Sequence, residues 1–155
     1  MQIHLLAIGN RMPEWVTKGY QDYAKRLPRE CELVLREIPP GKRGKNADLQ
    51  RIKEDEGERM LAMIQRDDHV IALEVEGKAW RTETLAAEMA RWLTMGQRII
   101  LLVGGPEGLA DACKTRAHQT WSLSPLTLPH PLVRILLAEQ LYRAQTILSH
   151  HPYHR

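Results

Sequence analysis

Apolar residues along this chain follow two alternating rhythms. Ile3 to Ile8, Leu33 to Ile38, Val70 to Val75 and Ile99 to Val103 are short runs with the length and composition of strands buried on both faces. Between them the spacing changes to three and four. Val16, Gly19 with Tyr20, Tyr23 and Leu27 share one helical stripe behind Pro13, whose fixed φ suits a first turn. After the Pro39-Pro40-Gly41 break, Leu49, Ile52, Met60, Leu61 and Ile64 repeat the stripe, with Asn46 as the expected N-cap. Thr82 is expected to cap a third helix, with Leu85, Met89, Trp92 and Leu93 facing inward and Gly96 ending it. Helices alternating with strands apolar on both sides predict an α/β fold, a mainly parallel sheet with helices on both faces.

The last third is less regular. A short helical turn follows Gly108, a brief extended segment lies near Trp121-Ser122, and Leu123 to Leu128 reads as an irregular loop punctuated by Pro125. A long helix then starts around Pro129-His130-Pro131. Val133, Leu136, Leu137, Leu141, Ala144 and Leu148 form one apolar face of it, and Leu132, Ile135 and Tyr142 a second. Two apolar faces call for two partners: its own sheet on one side, and a second subunit or more of the same chain on the other.

Composition narrows the class. The chain has 155 residues, 43% of them hydrophobic, with 22 Lys+Arg against 19 Asp+Glu for a net charge of +3. These figures predict one domain over 1–155, with no room for a separate recognition domain. The longest apolar run, Ile99 to Val103, is far short of the roughly 20 residues that cross a bilayer, so no membrane partner is expected. Met1-Gln2-Ile3-His4 does not begin a secretory signal, and Cys31 and Cys113 form no CxxC, so free thiols and a cytoplasmic location are expected. A pI near 9.0 permits an anionic partner.

Candidate chemistry gathers late in the chain. Gly104-Gly105-Pro106-Glu107-Gly108 follows a buried strand, where open α/β sheets bind ligands and glycine lets backbone approach them closely. It matches neither GxGxxG nor GxxxxGK[ST], so a tight turn stays open as the plainer reading. The extended backbone of Leu123 to Leu128 can hydrogen-bond an adenine edge. His130 between two prolines is either a packing residue or a substrate contact, and Glu139 with Arg143, four apart in the favourable order, is either a helix-surface ion pair or part of the chemistry. Lys42-Arg43-Gly44-Lys45, the densest basic cluster, suits a phosphate backbone or simply a solvated loop. In the tail, Pro152 opposes a helix that would bring His150 and His154 together, so no metal site is expected.

Several ordered motifs together carry a resemblance. They are Leu101-Leu102-Val103-Gly104-Gly105-Pro106-Glu107-Gly108-Leu109, Leu126-Thr127-Leu128-Pro129-His130-Pro131-Leu132-Val133-Arg134, Ala138-Glu139-Gln140-Leu141-Tyr142-Arg143-Ala144 and His151-Pro152-Tyr153-His154-Arg155. With Pro39-Pro40-Gly41-Lys42-Arg43-Gly44-Lys45-Asn46-Ala47, they span the whole chain. The sequence resembles the RlmH family of 23S ribosomal RNA (pseudouridine-N3)-methyltransferases in the SPOUT superfamily.

That resemblance implies a C-terminal trefoil (α/β) knot of SPOUT type. The knot and cofactor pocket would lie within about 70–150, and 151–155 would form a C-terminal tail. It implies S-adenosyl-L-methionine bound by Leu73, Gly104, Gly105, Leu123, Ser124, Pro125, Leu126, Thr127 and Leu128. Pro125 is the odd member, because proline lacks a backbone donor. It implies methylation of N3 of a pseudouridine in helix 69 of 23S rRNA, on the assembled 70S ribosome, by a homodimer that completes the active site. His130, Arg143, Tyr153 and Arg155 would be the catalytic residues. Lys42, Arg43, Lys45 and His154 would contact RNA, and no metal would take part. Rival readings are a related SPOUT enzyme acting on transfer RNA, a ribosome-bound protein without catalysis, and a nucleotide-dependent dehydrogenase, which the missing glycine fingerprint disfavours.

Overall fold

A computed structural model describes residues 1–155. Five strands form one sheet: β1 (Gln2–Ile8), β2 (Glu32–Ile38), β3 (His69–Ala79), β4 (Ile99–Val103) and β5 (Gln119–Ser122). Their order is β2-β1-β4-β3-β5 and every pairing is parallel. Parallel neighbours need crossover connections, which the helices supply. These are α1 (Glu14–Ala24), α2 (Leu49–Leu61), α3 (Thr82–Met95) and α4 (Asp111–Arg116), while α5 (His130–Leu148) follows β5 and the short 3-10 turn Pro152–His154 ends the chain.

The period of two decides which layer each strand residue joins. Ile3, Leu5, Ile71, Ile99 and Leu101 face one apolar core, shared with Leu85, Met89 and Trp92 of α3 and Leu137, Leu141 and Ala144 of α5. Leu6, Ile8, Val70, Ala72, Ile100 and Leu102 face the other, against Met60 of α2 and Cys113 of α4. The expected sheet covered on both faces is therefore present. Gly57 of α2 lets the two helices on that second face meet, because a Cβ there would stand 2.6 Å from the Cβ of Ala110.

Some local expectations need correction. Asp48, not Asn46, caps α2: its carboxylate accepts the Arg51 N–H at 3.2 Å, whereas residues 44–47 close a turn through Ala47 N–H to the Gly44 carbonyl. Arg81 holds the N-cap position of α3 without a side-chain bond, and Thr82, the first helical residue, donates its hydroxyl to Gln140 of α5 instead. Leu93 and Leu136 are exposed, not core. The third strand does not stop at Val75. Both Leu73 and Lys78 pair with Trp121, so residues 74–77 bulge out and β3 resumes to Ala79. Gly77 makes the return possible, since a Cβ would come within 2.9 Å of the Trp121 backbone.

Candidate functional site

The carboxyl ends of three neighbouring strands and the start of α5 surround one cavity of about 430 Å³. Small-molecule sites typically measure about 300–1,000 Å³ and favour this end of an open α/β sheet. The β3 bulge contributes Leu73, Glu74 and Val75; the turn after β4 contributes Gly104, Gly105, Pro106, Gly108 and Leu109. Trp121 and the loop Leu123, Ser124, Leu126, Thr127 and Leu128 supply another wall, with Pro129, His130 and Val133 at the helix entrance. Nearly the whole expected cofactor set thus lines one space. Pro125 alone of that set stands outside the lining.

Both loops are fixed by short-range bonding. The Gly108 N–H donates to the Gly105 carbonyl at 3.0 Å, and Gly108 has a φ of 81°, so residues 104–108 fold as a tight hairpin after β4. Gly104 has no room for a side chain: a Cβ would lie 2.4 Å from the Gly108 carbonyl carbon and 2.7 Å from the Leu109 nitrogen. In the second loop, the Ser122 hydroxyl donates to the Ser124 carbonyl and the Leu126 N–H donates to the Ser124 hydroxyl, each at 3.0 Å. Trp121 stacks on Trp80 at 4.8 Å, backing this wall with a rigid aromatic pair.

His130 faces this space from a partly buried position beside Arg134 and Arg43. Its Nδ1 is buried without a hydrogen-bond partner. Burial, then the positive charges of Arg134 and Arg43, holds its pKa below the ordinary histidine value of 6.5, so the ring is neutral at pH 7. Arg134 lies one helical turn on and is 2% exposed. It donates to Glu37 at 2.7 Å and to the Gly9 carbonyl at 2.8 Å, tying the start of α5 to the ends of β2 and β1.

Arg143 and Tyr153 lie elsewhere. At the far end of α5, Arg143 Nε donates to Glu139 at 2.7 Å, the Tyr153 hydroxyl donates to the same oxygen at 3.3 Å, and the guanidinium sits 4.9 Å over the Tyr153 ring. Burial, then the Glu139 charge, raises the Tyr153 pKa, and the Glu139 hydrogen bond keeps Arg143 firmly protonated. Beside them His154 is half-buried and Arg155 is exposed. Thirteen helical positions separate His130 from Arg143, about 20 Å along the axis. Within one chain, the expected catalytic residues therefore form two groups. Glu139, legible only as an ion-pair partner from its spacing, is the acceptor that organises the second.

The basic loop is also divided. Lys42 and Lys45 are exposed, whereas Arg43 turns inward onto Glu107 and Glu56. No three His, Cys, Asp or Glu side chains converge as a metal-binding group. No helix is long and apolar enough to cross a membrane.

Comparison with known proteins gives a consistent family. The family described as Predicted SPOUT methyltransferase matches residues 1–154. A protein of Methylococcus capsulatus named Ribosomal RNA large subunit methyltransferase H is 60% identical over 155 residues, covering 100% of both chains. Its namesake in Hahella chejuensis is 61% identical, over 100% of this chain and 99% of its own. Among solved structures, a probable methyltransferase from Bordetella pertussis Tohama I superposes with a TM-score of 0.56 at 15% identity, covering 92% of this chain and 95% of its own. That last likeness speaks to the fold.

Proposed function

The chain belongs to the SPOUT methyltransferases, in the family of ribosomal RNA large subunit methyltransferase H, and we propose that it uses S-adenosyl-L-methionine to methylate N3 of a pseudouridine in 23S rRNA. The target is helix 69 on the assembled 70S ribosome, in the cytoplasm. One observation carries the reading: in a chain whose near-identical-length relatives are named for large-subunit rRNA methylation, the two late loops converge on a cavity of cofactor size. The residues fit the cofactor. The hairpin is a cradle that a Cβ at Gly104 would fill, and the 123–128 loop offers backbone groups and apolar side chains to a nucleoside. Family membership implies a trefoil knot within about 70–150.

When bound, the cofactor supplies a methyl group activated by a sulfonium. The protein's part is to align the acceptor nitrogen with that carbon and to manage one proton. N3 of pseudouridine carries a proton, which must leave as the N–C bond forms. Neutral His130, at the helix entrance of the cavity, is suited to accept that proton or to orient its acceptor. Arg143 and Arg155 would balance the negative charge spreading onto the flanking carbonyl oxygens, with Tyr153 packing against the base. Lys42, Lys45 and His154 would engage the RNA backbone.

The distance of about 20 Å along α5 between His130 and the tail group gives the homodimer a chemical purpose. A second copy would bring its Arg143, Tyr153 and Arg155 to this chain's cavity. Methyl-labelled cofactor, offered with unmodified 70S ribosomes, transfer RNA or a free helix 69 hairpin, tests the proposal. The label should appear on a pseudouridine of 23S rRNA in ribosomes and hardly at all on the hairpin. Label on transfer RNA, or equal labelling of hairpin and ribosome, would overturn it.

A further inference from the structure

Arg43 lies in the basic loop but its charge is already spent. Its Nε donates to both carboxylate oxygens of Glu107, at 3.1 and 3.2 Å, and a terminal nitrogen contacts Glu107 again at 2.5 Å. The same nitrogen reaches Glu56 at 3.1 Å, and the other donates to the Gly41 carbonyl at 2.9 Å. Glu56 is 2% exposed on α2 and accepts the Gly41 N–H at 2.8 Å. One guanidinium thus meets two carboxylates, and Lys53 also acts on Glu107. A phosphate approaching Arg43 would meet those carboxylates as well.

Glu107 is the tip of the glycine hairpin. Its neighbours Gly105, Pro106 and Gly108 line the cavity while its own side chain does not. The guanidinium also lies close over Gly105, where an added Cβ would be 3.7 Å from it. Hydrogen bonding to Arg43 holds the Glu107 carboxyl below the usual carboxylate range. The connection therefore runs from a buried acid on α2, through Arg43, to the outer side of the cofactor hairpin.

We propose that Arg43 is a positioning residue which clamps the Gly104–Gly108 hairpin through Glu107 and so sets cofactor affinity, instead of contacting RNA phosphate. This rests on the reading of the hairpin as part of the S-adenosylmethionine site. Fork-shaped, paired contact with a carboxylate is what arginine provides and lysine cannot. The clamp also joins the loop bearing Lys42 and Lys45 to the wall of the cavity.

The test measures S-adenosylmethionine binding by calorimetry on the dimer without RNA, for wild type, Arg43→Gln, Arg43→Lys, Glu107→Gln and the Arg43→Gln/Glu107→Gln double variant. Each Gln variant should weaken binding about tenfold, the double variant little more than either single one, and Arg43→Lys should recover only part. Ribosome binding by the Gln variants should keep the wild-type dependence on salt. Glu107→Gln is nearly isosteric, so the test survives a folding failure of the Arg43 variants. Unchanged cofactor affinity with a salt slope reduced by about 1 in Arg43→Gln would make Arg43 a phosphate contact and overturn the proposal. Simple addition of the two losses would also overturn it. Absence of binding by wild type would sink the cofactor reading itself, and the clamp with it.

Discussion

The chemistry of His130 is set by its neighbours more than by its own side chain. Burial and the nearby Arg134 and Arg43 charges all disfavour its protonated form, so neutral imidazole persists below pH 6.5. If it handles the N3 proton, the acid limb of kcat/KM should fall below 6.5, with activity rising as pH increases through that limb. His130→Gln should remove the limb and lower the rate by about 10²- to 10⁴-fold. A limb above 6.5, or full activity in the variant, would exclude the role. The identity of His130 as a candidate was legible from its setting between two prolines and from the family resemblance. Its neutrality was not, because burial and Arg43 come to it only through the fold, although Arg134 one helical turn on could be read from spacing. The same holds for Arg43, which belongs to the basic cluster in sequence and to an acidic cage in space.

Among elements, strands and helices were legible wherever one rhythm persisted. The four strands placed by continuous apolar runs are all present, and α5 begins where the double proline marks it. What failed was local: the caps at Asn46 and Thr82, the inward position of Leu93, and the end of β3. Periodicity cannot register a strand that bulges over residues 74–77 and then resumes, because that return depends on Gly77 fitting against β5. Nor could it place Arg134, a charged residue that is 2% exposed on α5. Since Arg134 satisfies the Gly9 carbonyl and pairs with Glu37, Arg134→Met should destabilise the fold by about 2 kcal/mol, read from urea unfolding. An unchanged midpoint would show that the bonds at the head of α5 carry no net stability.

At the scale of the molecule, α5 packs on α1 and α3, yet Leu132 is 39% and Leu136 40% exposed on it. Spacing puts Leu136 on the first apolar face of α5 and Leu132 on the second, and neither is covered within one chain. The proposed homodimer fits those leucines, which stand four residues apart and are neighbours on the helix surface. Leu136→Glu should shift sedimentation from dimer to monomer and abolish methyl transfer, although the monomer keeps its fold. A monomer with full activity would show that one chain suffices and that the two groups on α5 are never joined. The family resemblance implies this assembly and the knot; spacing alone could imply neither, since both concern how distant segments pass or meet.

Whether the two late loops hold the methyl donor is tested most directly by a crystal structure grown with S-adenosyl-L-methionine. Density for the cofactor should lie between Gly104–Leu109 and Leu123–Leu128, beside Leu73. Cofactor bound at another place, with that cavity empty in crystals of active enzyme, would contradict the account.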